Sequence, residues 1–275
     1  MQNEVIMSDL EIEIADGVMT ATFNRPEKLN ALNNNIRIGL RNALSEASQN
    51  DEVKVLVLTG TGRAFCAGAE VTREKSPASN GSTTEELRSR YDRMNIQAGS
   101  SETVQAFAAC DVPIIGAING VTAGAGFGIA LCCDIRFFSE QTRIGSIFSK
   151  RGLASDYGAA YWLPRLVGPA KAFEMLYSGD LISAEEALQI GLTNKIFPSE
   201  SLLSETLSFA KNLAAGAPMA LTAIRRLVLE STDTIERNLF LDREWSIQAQ
   251  LLKSNDSKEG FQSFLDNRPP EFTGT

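Results

Sequence analysis

The chain has 275 residues, 43% of them hydrophobic and 22% charged, which suits one large soluble domain or one domain with a smaller appendage. Its formal net charge of −8 argues against broad phosphate-backbone binding, which needs clustered Lys and Arg, while leaving room for a small anionic ligand. Histidine is absent, which removes the Ser-His-Asp triad, the Cys-His dyad and every His-ligated metal site. Acid–base chemistry falls to carboxylates, Lys, Tyr, Cys or water.

Met1 to Leu10 carries Glu4 and Asp9 without a basic residue and does not read as a signal peptide. No apolar run is long enough to cross a bilayer, so a cytoplasmic protein is expected. Leu10, Ile12 and Ile14 alternate with acidic residues, Asp16-Gly17 turns, and Met19, Ala21 and Phe23 alternate in turn, which predicts a β-hairpin. From about Asn33, the residues Ile36, Leu40, Leu44 and Ala47 recur at helical spacing. Val53 to Leu58 predicts a strand buried on both faces, followed by a Gly/Ala loop from Gly62 to Glu70. Residues 75–84 read as a loop rich in Ser, Thr, Pro, Asn and Gly, and Glu85 to Ala109 as helical.

Val112 to Ile118 predicts a second buried strand. Asn119-Gly120 turns, and Gly124, Gly126 and Gly128 lead into an apolar segment from Ile129 to Cys133. Ile135 to Phe138 and Thr142 to Ile147 read as strands. Ser183-Ala184-Glu185-Glu186 is a capping box, with Gly191 past the end of its helix. Helices are expected after Pro198, from Pro218, and from Ile235 to Leu252. The alternation of strand and helix predicts an α/β core over residues 1–200 and a helical region over 201–275. Cys66, Cys110, Cys132 and Cys133 match no zinc spacing and read as buried thiols.

Two Gly/Ala loops, each after a buried strand and before a helix, could bring two backbone N–H donors together as an oxyanion hole. Two ordinary tight connections would give the same pattern. Dinucleotide binding fails on detail, because Gly60-Thr61-Gly62 lacks the third glycine and Gly124-Ala125-Gly126-Phe127-Gly128 has the wrong spacing. No Gly-Lys-Ser/Thr loop is present either.

Asn24-Arg25-Pro26 with Leu29-Asn30-Ala31-Leu32, Phe65-Cys66-Ala67-Gly68-Ala69-Glu70, and Ala117-Ile118-Asn119-Gly120 through Gly124-Ala125-Gly126 to Cys133-Asp134 resemble, in order, motifs of the enoyl-CoA hydratase/isomerase (crotonase) superfamily. Leu163 to Gly168, Ala184 to Pro198, and Asn267-Arg268-Pro269-Pro270 with Phe272 extend the resemblance over about residues 10 to 273. It implies a spiral of ββα units with a C-terminal helical region that builds trimers or hexamers. It implies an oxyanion hole from the N–H groups of Ala69 and Ala125. It implies a CoA path along Lys28, Leu29 and Ala31 and along Ala67, Gly68, Glu70 and Val71, with Gly124 and Phe148 beside the acyl group. No metal or redox cofactor is implied.

Hydratases of this family use two glutamates to hold and activate water. Laying their pattern on this chain puts Gly128 and Phe148 at those positions, and neither moves a proton. Asp156, within Gly152-Leu153-Ala154-Ser155-Asp156-Tyr157-Gly158, remains. The segment resembles that of dienoyl-CoA isomerases and, with Phe148-Ser149-Lys150, that of 1,2-epoxyphenylacetyl-CoA isomerases. The resemblance implies that Asp156 shuttles a proton, its pKa raised by a dry acyl pocket; alternatively, Asp156 caps the following helix. Tyr157 and Tyr161 either line the acyl pocket or pack. Arg143, Lys150 and Arg151 either meet CoA phosphates or lie solvated. Another crotonase reaction, such as hydration or hydrolysis, and a non-catalytic CoA-thioester-binding protein remain as alternatives.

Overall fold

The computed structural model describes residues 8–70, 100–233 and 236–275. Strands β1 (Leu10–Ala15) and β2 (Val18–Phe23) form the expected hairpin, with Ala15 opposite Val18. Asp16 and Gly17 both have positive φ, 52° and 78°, as a two-residue turn matched to strand twist requires. Helix α1 (Asn34–Gln49) starts where the periodicity predicts, because the Asn33 side chain accepts from the Ile36 N–H at 2.9 Å.

Beyond the hairpin the chain deals successive strands to two sheets. β3 (Val55–Gly60), β5 (Ile114–Ile118), β7 (Ile135–Ser139) and β10 (Lys195–Phe197) run parallel to β2 in a six-stranded sheet of order β1-β2-β3-β5-β7-β10. β4 (Ala64–Cys66), β6 (Val121–Ala123), β8 (Arg143–Gly145) and β9 (Ile182–Ser183) make a second sheet in that order. Each turn of the chain adds one strand to each sheet, so the α/β core is the ββα spiral that the sequence implies.

β3 is buried on both faces, as its unbroken apolar run requires. Leu56 and Leu58 join the cluster that contains Ile36, Leu40 and Leu44 of α1. Val55 and Val57 join the cluster that contains Leu202 and Ala210 of α7 (Leu202–Ala214) on the other side. Of the helix expected over 85–109, α2 (Ser100–Ala109) is described, and the rest lies outside the described residues, as does the 75–84 segment.

Helix α3 (Ala125–Cys132) begins directly after Gly124, earlier than the apolar stretch from Ile129 suggests. Gly126 and Gly128 are therefore helical. α4 (Ala159–Val167), α5 (Pro169–Ser178) and α6 (Ala184–Gln189) follow. α6 is opened by the expected cap, with Ser183 accepting from the Glu186 N–H at 3.2 Å. α8 (Pro218–Asp233), α9 (Arg237–Leu251) and α10 (Asn255–Asp266) complete the chain.

The C-terminal helices are tied to the core by Arg225 of α8, which is buried. Its Nε meets Asp134 at 2.8 Å, and its other nitrogens donate to the carbonyls of Phe107 (2.8 Å) and Cys110 at the end of α2. Asp134 also accepts from the Ile114 N–H at 2.8 Å. Removing the guanidinium strands a carboxylate and a helix terminus together. Arg225→Ala should therefore lower unfolding stability by roughly 3 kcal/mol, read as a fall in urea midpoint at unchanged slope.

Candidate active site

The site grows from two asparagines that share an acceptor. Asn30 is fully buried in the left-handed region, with φ 56°. Its amide donates to the carbonyls of Thr61 (3.0 Å) and Ala64 (2.7 Å), and its oxygen accepts from the Arg25 N–H at 2.8 Å. Asn119 donates to the carbonyls of Gly62 (2.8 Å) and Ala64 (3.3 Å) and accepts from the Gly60 N–H at 3.1 Å. The 24–32 turn, the end of β3 and the end of β5 are thereby held together.

On this frame the 67–70 segment lies along residues 29–32. Ala67 N–H donates to the Leu29 carbonyl (3.0 Å), Leu32 N–H to Gly68 (2.8 Å) and Glu70 N–H to Leu32 (3.0 Å). Alternate N–H groups of an extended segment point to opposite sides, so that of Ala69 is turned away from this ladder. It has no acceptor among the described residues. Ala125 opens α3, where the first N–H groups have no intrahelical partner.

These two segments meet. A Cβ on Gly68, whose φ is 114°, would lie 3.7 Å from the Ala125 nitrogen. One on Gly126 would fall 2.1 Å from the Cys66 carbonyl oxygen. The glycine at 126 thus lets α3 press on the other loop, rather than letting a ligand approach the backbone. Gly124 (φ 55°) donates to Gly145 at 3.3 Å and redirects the chain into α3. Both donors implied by the resemblance sit at this junction.

The implied CoA path is brought together only in part. Leu29, Ala31, Ala67, Gly68 and Glu70 share the ladder or its flank, Lys28 is exposed beside it, and Val71 lies outside the described residues. The Glu70 carboxylate is paired rather than solvated. Arg25 holds it through two hydrogen bonds of 3.1 Å and donates also to the Ala31 carbonyl at 2.8 Å. Those bonds hold the Glu70 carboxyl below its ordinary pKa. This clamp spans 45 positions, and only the side-by-side presence of two motifs hints at it.

Asp156 is exposed. Its carboxylate accepts from the Tyr157 N–H at 2.7 Å and from the Ser100 hydroxyl. Two expectations are corrected. The environment is not dry, because the loop 153–156 stands at the surface. Nor does the side chain cap α4, whose N-cap is Gly158 without a side-chain bond. Phe148 is half-buried and begins the turn 149–151, accepting from Leu153 N–H at 3.1 Å and so bending the chain toward Asp156.

Tyr157 is buried, Tyr161 bonds Thr232 and Asp233 of α8, and Lys150 pairs with Asp180. Arg143 donates to the Thr142 carbonyl, and Arg151 is exposed. All four cysteines are buried and free, and burial holds Cys66 up at about 12, so it is a thiol rather than a thiolate nucleophile.

The N–H of Ala69 and the first N–H groups of α3 lie at one junction, beside a ladder of apolar and small residues. Residues 13–275 match the profile of the enoyl-CoA hydratase/isomerase family. The chain belongs to that family of acyl-CoA-processing enzymes. It is 34% identical over 266 residues to the probable enoyl-CoA hydratase of Rhodobacter capsulatus, covering 96% of this chain and 98% of that one. It is 33% identical over 273 residues to the 1,2-epoxyphenylacetyl-CoA isomerase of Escherichia coli, covering 98% and 99%. The enoyl-CoA hydratase from Polaromonas sp. JS666 superposes with a TM-score of 0.85 at 29% identity over 96% of this chain and 99% of that one.

A carboxylate with a depressed pKa adds stability above its unfolded pKa of about 4.3 and loses it as pH falls through the lower folded value. Glu70→Gln should therefore cost about 1 kcal/mol near neutral pH. The gap from the parent protein should close below about pH 4 in denaturation curves taken across pH.

Proposed function

We propose that this enzyme isomerises enoyl-CoA thioesters, with Ala69 and Ala125 as the oxyanion hole and Asp156 as the proton shuttle. The Asp156 carboxylate takes a proton from the α-carbon of a 3-enoyl-CoA. The electron pair spreads into a dienolate whose negative oxygen sits between the two N–H groups, each donor worth about 3 kcal/mol in comparable sites. The protonated carboxyl then returns the proton to the γ-carbon, giving the 2-enoyl thioester at unchanged mass. One carboxylate suffices, because the same group removes and returns the proton. No cofactor beyond the substrate's own CoA is needed.

The observation that carries this reading is the absence of a carboxylate at 128 and 148 together with the presence of Asp156 on the loop that adjoins α3. The likeness to an isomerase of epoxyphenylacetyl-CoA supports it and suggests aryl-CoA thioesters as further substrates. The CoA portion is assigned to Lys28, Leu29, Ala31, Ala67, Gly68, Glu70 and Val71, and the acyl group to the side of Gly124 and Phe148. Four free thiols fit the reducing cytoplasm, where this reading has the enzyme work.

A homotrimer, or a pair of trimers, belongs to the same proposal. Leu239, Trp245, Phe261 and Phe264 of α9 and α10 are exposed, with Phe264 at 79%, as expected of helices that await another subunit. Light scattering should give three or six times the 29.8 kDa chain mass. A monomer would sink the assembly.

With 3-hexenoyl-CoA, the enzyme should yield the 2-enoyl isomer at constant mass. Asp156→Asn, which keeps the acceptor for Tyr157 N–H, should lower that rate at least about 100-fold. Undiminished turnover in this variant would remove Asp156 from the mechanism, and a water adduct from 2-hexenoyl-CoA would make hydration the reaction.

A further inference from the structure

The backbone at Asp156 is fixed from within its own segment. Ala159 N–H donates to the Asp156 carbonyl at 3.1 Å. Tyr157 is buried and seated against α3, where a Cβ on Gly128 would fall 2.4 Å from the Tyr157 Cβ. The carboxylate is held differently. It stands on the exposed side of the loop, where water competes for its oxygens and an untethered side chain would turn freely.

Two donors hold it, and both meet the same oxygen. Tyr157 N–H reaches Oδ1 at 2.7 Å, and the Ser100 hydroxyl of α2 donates to Oδ1 as well. Among the described residues no hydrogen bond reaches Oδ2. The Tyr157 bond comes from the adjacent residue and moves with the loop. Ser100 is 56 positions away, on a helix that is itself anchored. Phe107 of α2 lies in the core, Glu102 pairs with Arg41 of α1, and Arg225 takes the carbonyls of Phe107 and Cys110.

We infer that Ser100 is a positioning residue for the proton shuttle: its hydroxyl ties Oδ1 of Asp156 to α2 and leaves Oδ2 as the oxygen that takes up and returns the proton. The inference rests on the isomerase reading and deepens it. A carboxylate oxygen offers two lone-pair sites, and two donors fill those of Oδ1. When Oδ2 gains the α-proton, Oδ1 is still an acceptor, so neither donor loses its partner. The carboxyl thus keeps one orientation while the proton arrives from the α-carbon and leaves for the γ-carbon. The Ser100 hydroxyl gains and loses no proton, and acts only through Asp156.

Ser100→Ala removes the donor, and Ser100→Thr keeps it. With 3-hexenoyl-CoA, Ser100→Ala should lower kcat about tenfold with KM within about twofold of the parent value, because orientation is lost and binding is not. Ser100→Thr should retain kcat within about twofold. Glu102→Gln, which breaks the pairing of the same helix with Arg41, should leave kcat unchanged. In an Asp156→Asn background, Ser100→Ala should add no further loss, since a residue that works through Asp156 has nothing left to position. Full turnover by Ser100→Ala, a loss that Ser100→Thr shares, or a loss that adds to that of Asp156→Asn would overturn the assignment.

If the parent protein leaves 3-hexenoyl-CoA unchanged, the isomerase reading fails on its own, and crystal structures of the parent and Ser100→Ala proteins decide the tether separately. A carboxylate in one conformer on Ser100 in the parent, turned or split in the variant, would support it. A carboxylate in the same place in both would refute it, as would a parent structure in which Ser100 does not meet Asp156.

Discussion

The contact of α3 with the carbonyl of Cys66 is the constraint on which the site depends. A helix start can press on a neighbouring loop so closely only where its second residue lacks a side chain, and Gly126 meets that condition. The contact brings the end of β4 against the helix that follows β6, its neighbour in the four-stranded sheet. Residues 69 and 125, 56 positions apart in sequence, are brought to one junction by backbone contact alone. Backbone donors held this way need little reorganisation when charge develops nearby.

Asn30 and Asn119 do the corresponding work one layer back. Both donate to the carbonyl of Ala64, from turns at opposite sides of β4. An amide that both accepts and donates can join three strands' ends at once, and a buried one left unsatisfied would be expensive. Arg25 then adds charge to the same frame by holding Glu70 beside the 29–32 ladder. The loop that offers Ala69 is fixed from below by amides and from the side by an ion pair.

Features set by neighbours in sequence were legible in advance. The Asp16-Gly17 hairpin, the helical periodicity from about Asn33 and the Ser183 cap each depend on residues close in sequence and form as read, although the Glu186 carboxylate pairs with Lys171 rather than closing the capping box. β3 was legible because a strand buried on both faces must be apolar throughout. The start of α3 was misjudged because Gly126 and Gly128 count against helix by propensity, whereas tertiary contact demands them there. α10 lies within the region over 201–275 that reads as helical, although no separate bounds are read for it. Arg25–Glu70, Arg225–Asp134 and Tyr157–Gly128 join residues 29 to 91 positions apart, and no local pattern announces such pairs. Asp156 was found through family resemblance, yet its exposure and its bond to Ser100 were not.

The Arg225 tie has a consequence for how the protein is made. The carbonyls that end α2 and the carboxylate that follows α3 receive their guanidinium only from α8, more than 90 residues further along the chain. During synthesis both sheets can be complete while those groups still face water. A nascent chain released before α8 would carry every residue assigned to the chemistry and still lack the cross-brace that joins its two site-bearing helices. Translation order thus makes the arrival of α8 the step that completes the brace between the end of α2 and Asp134.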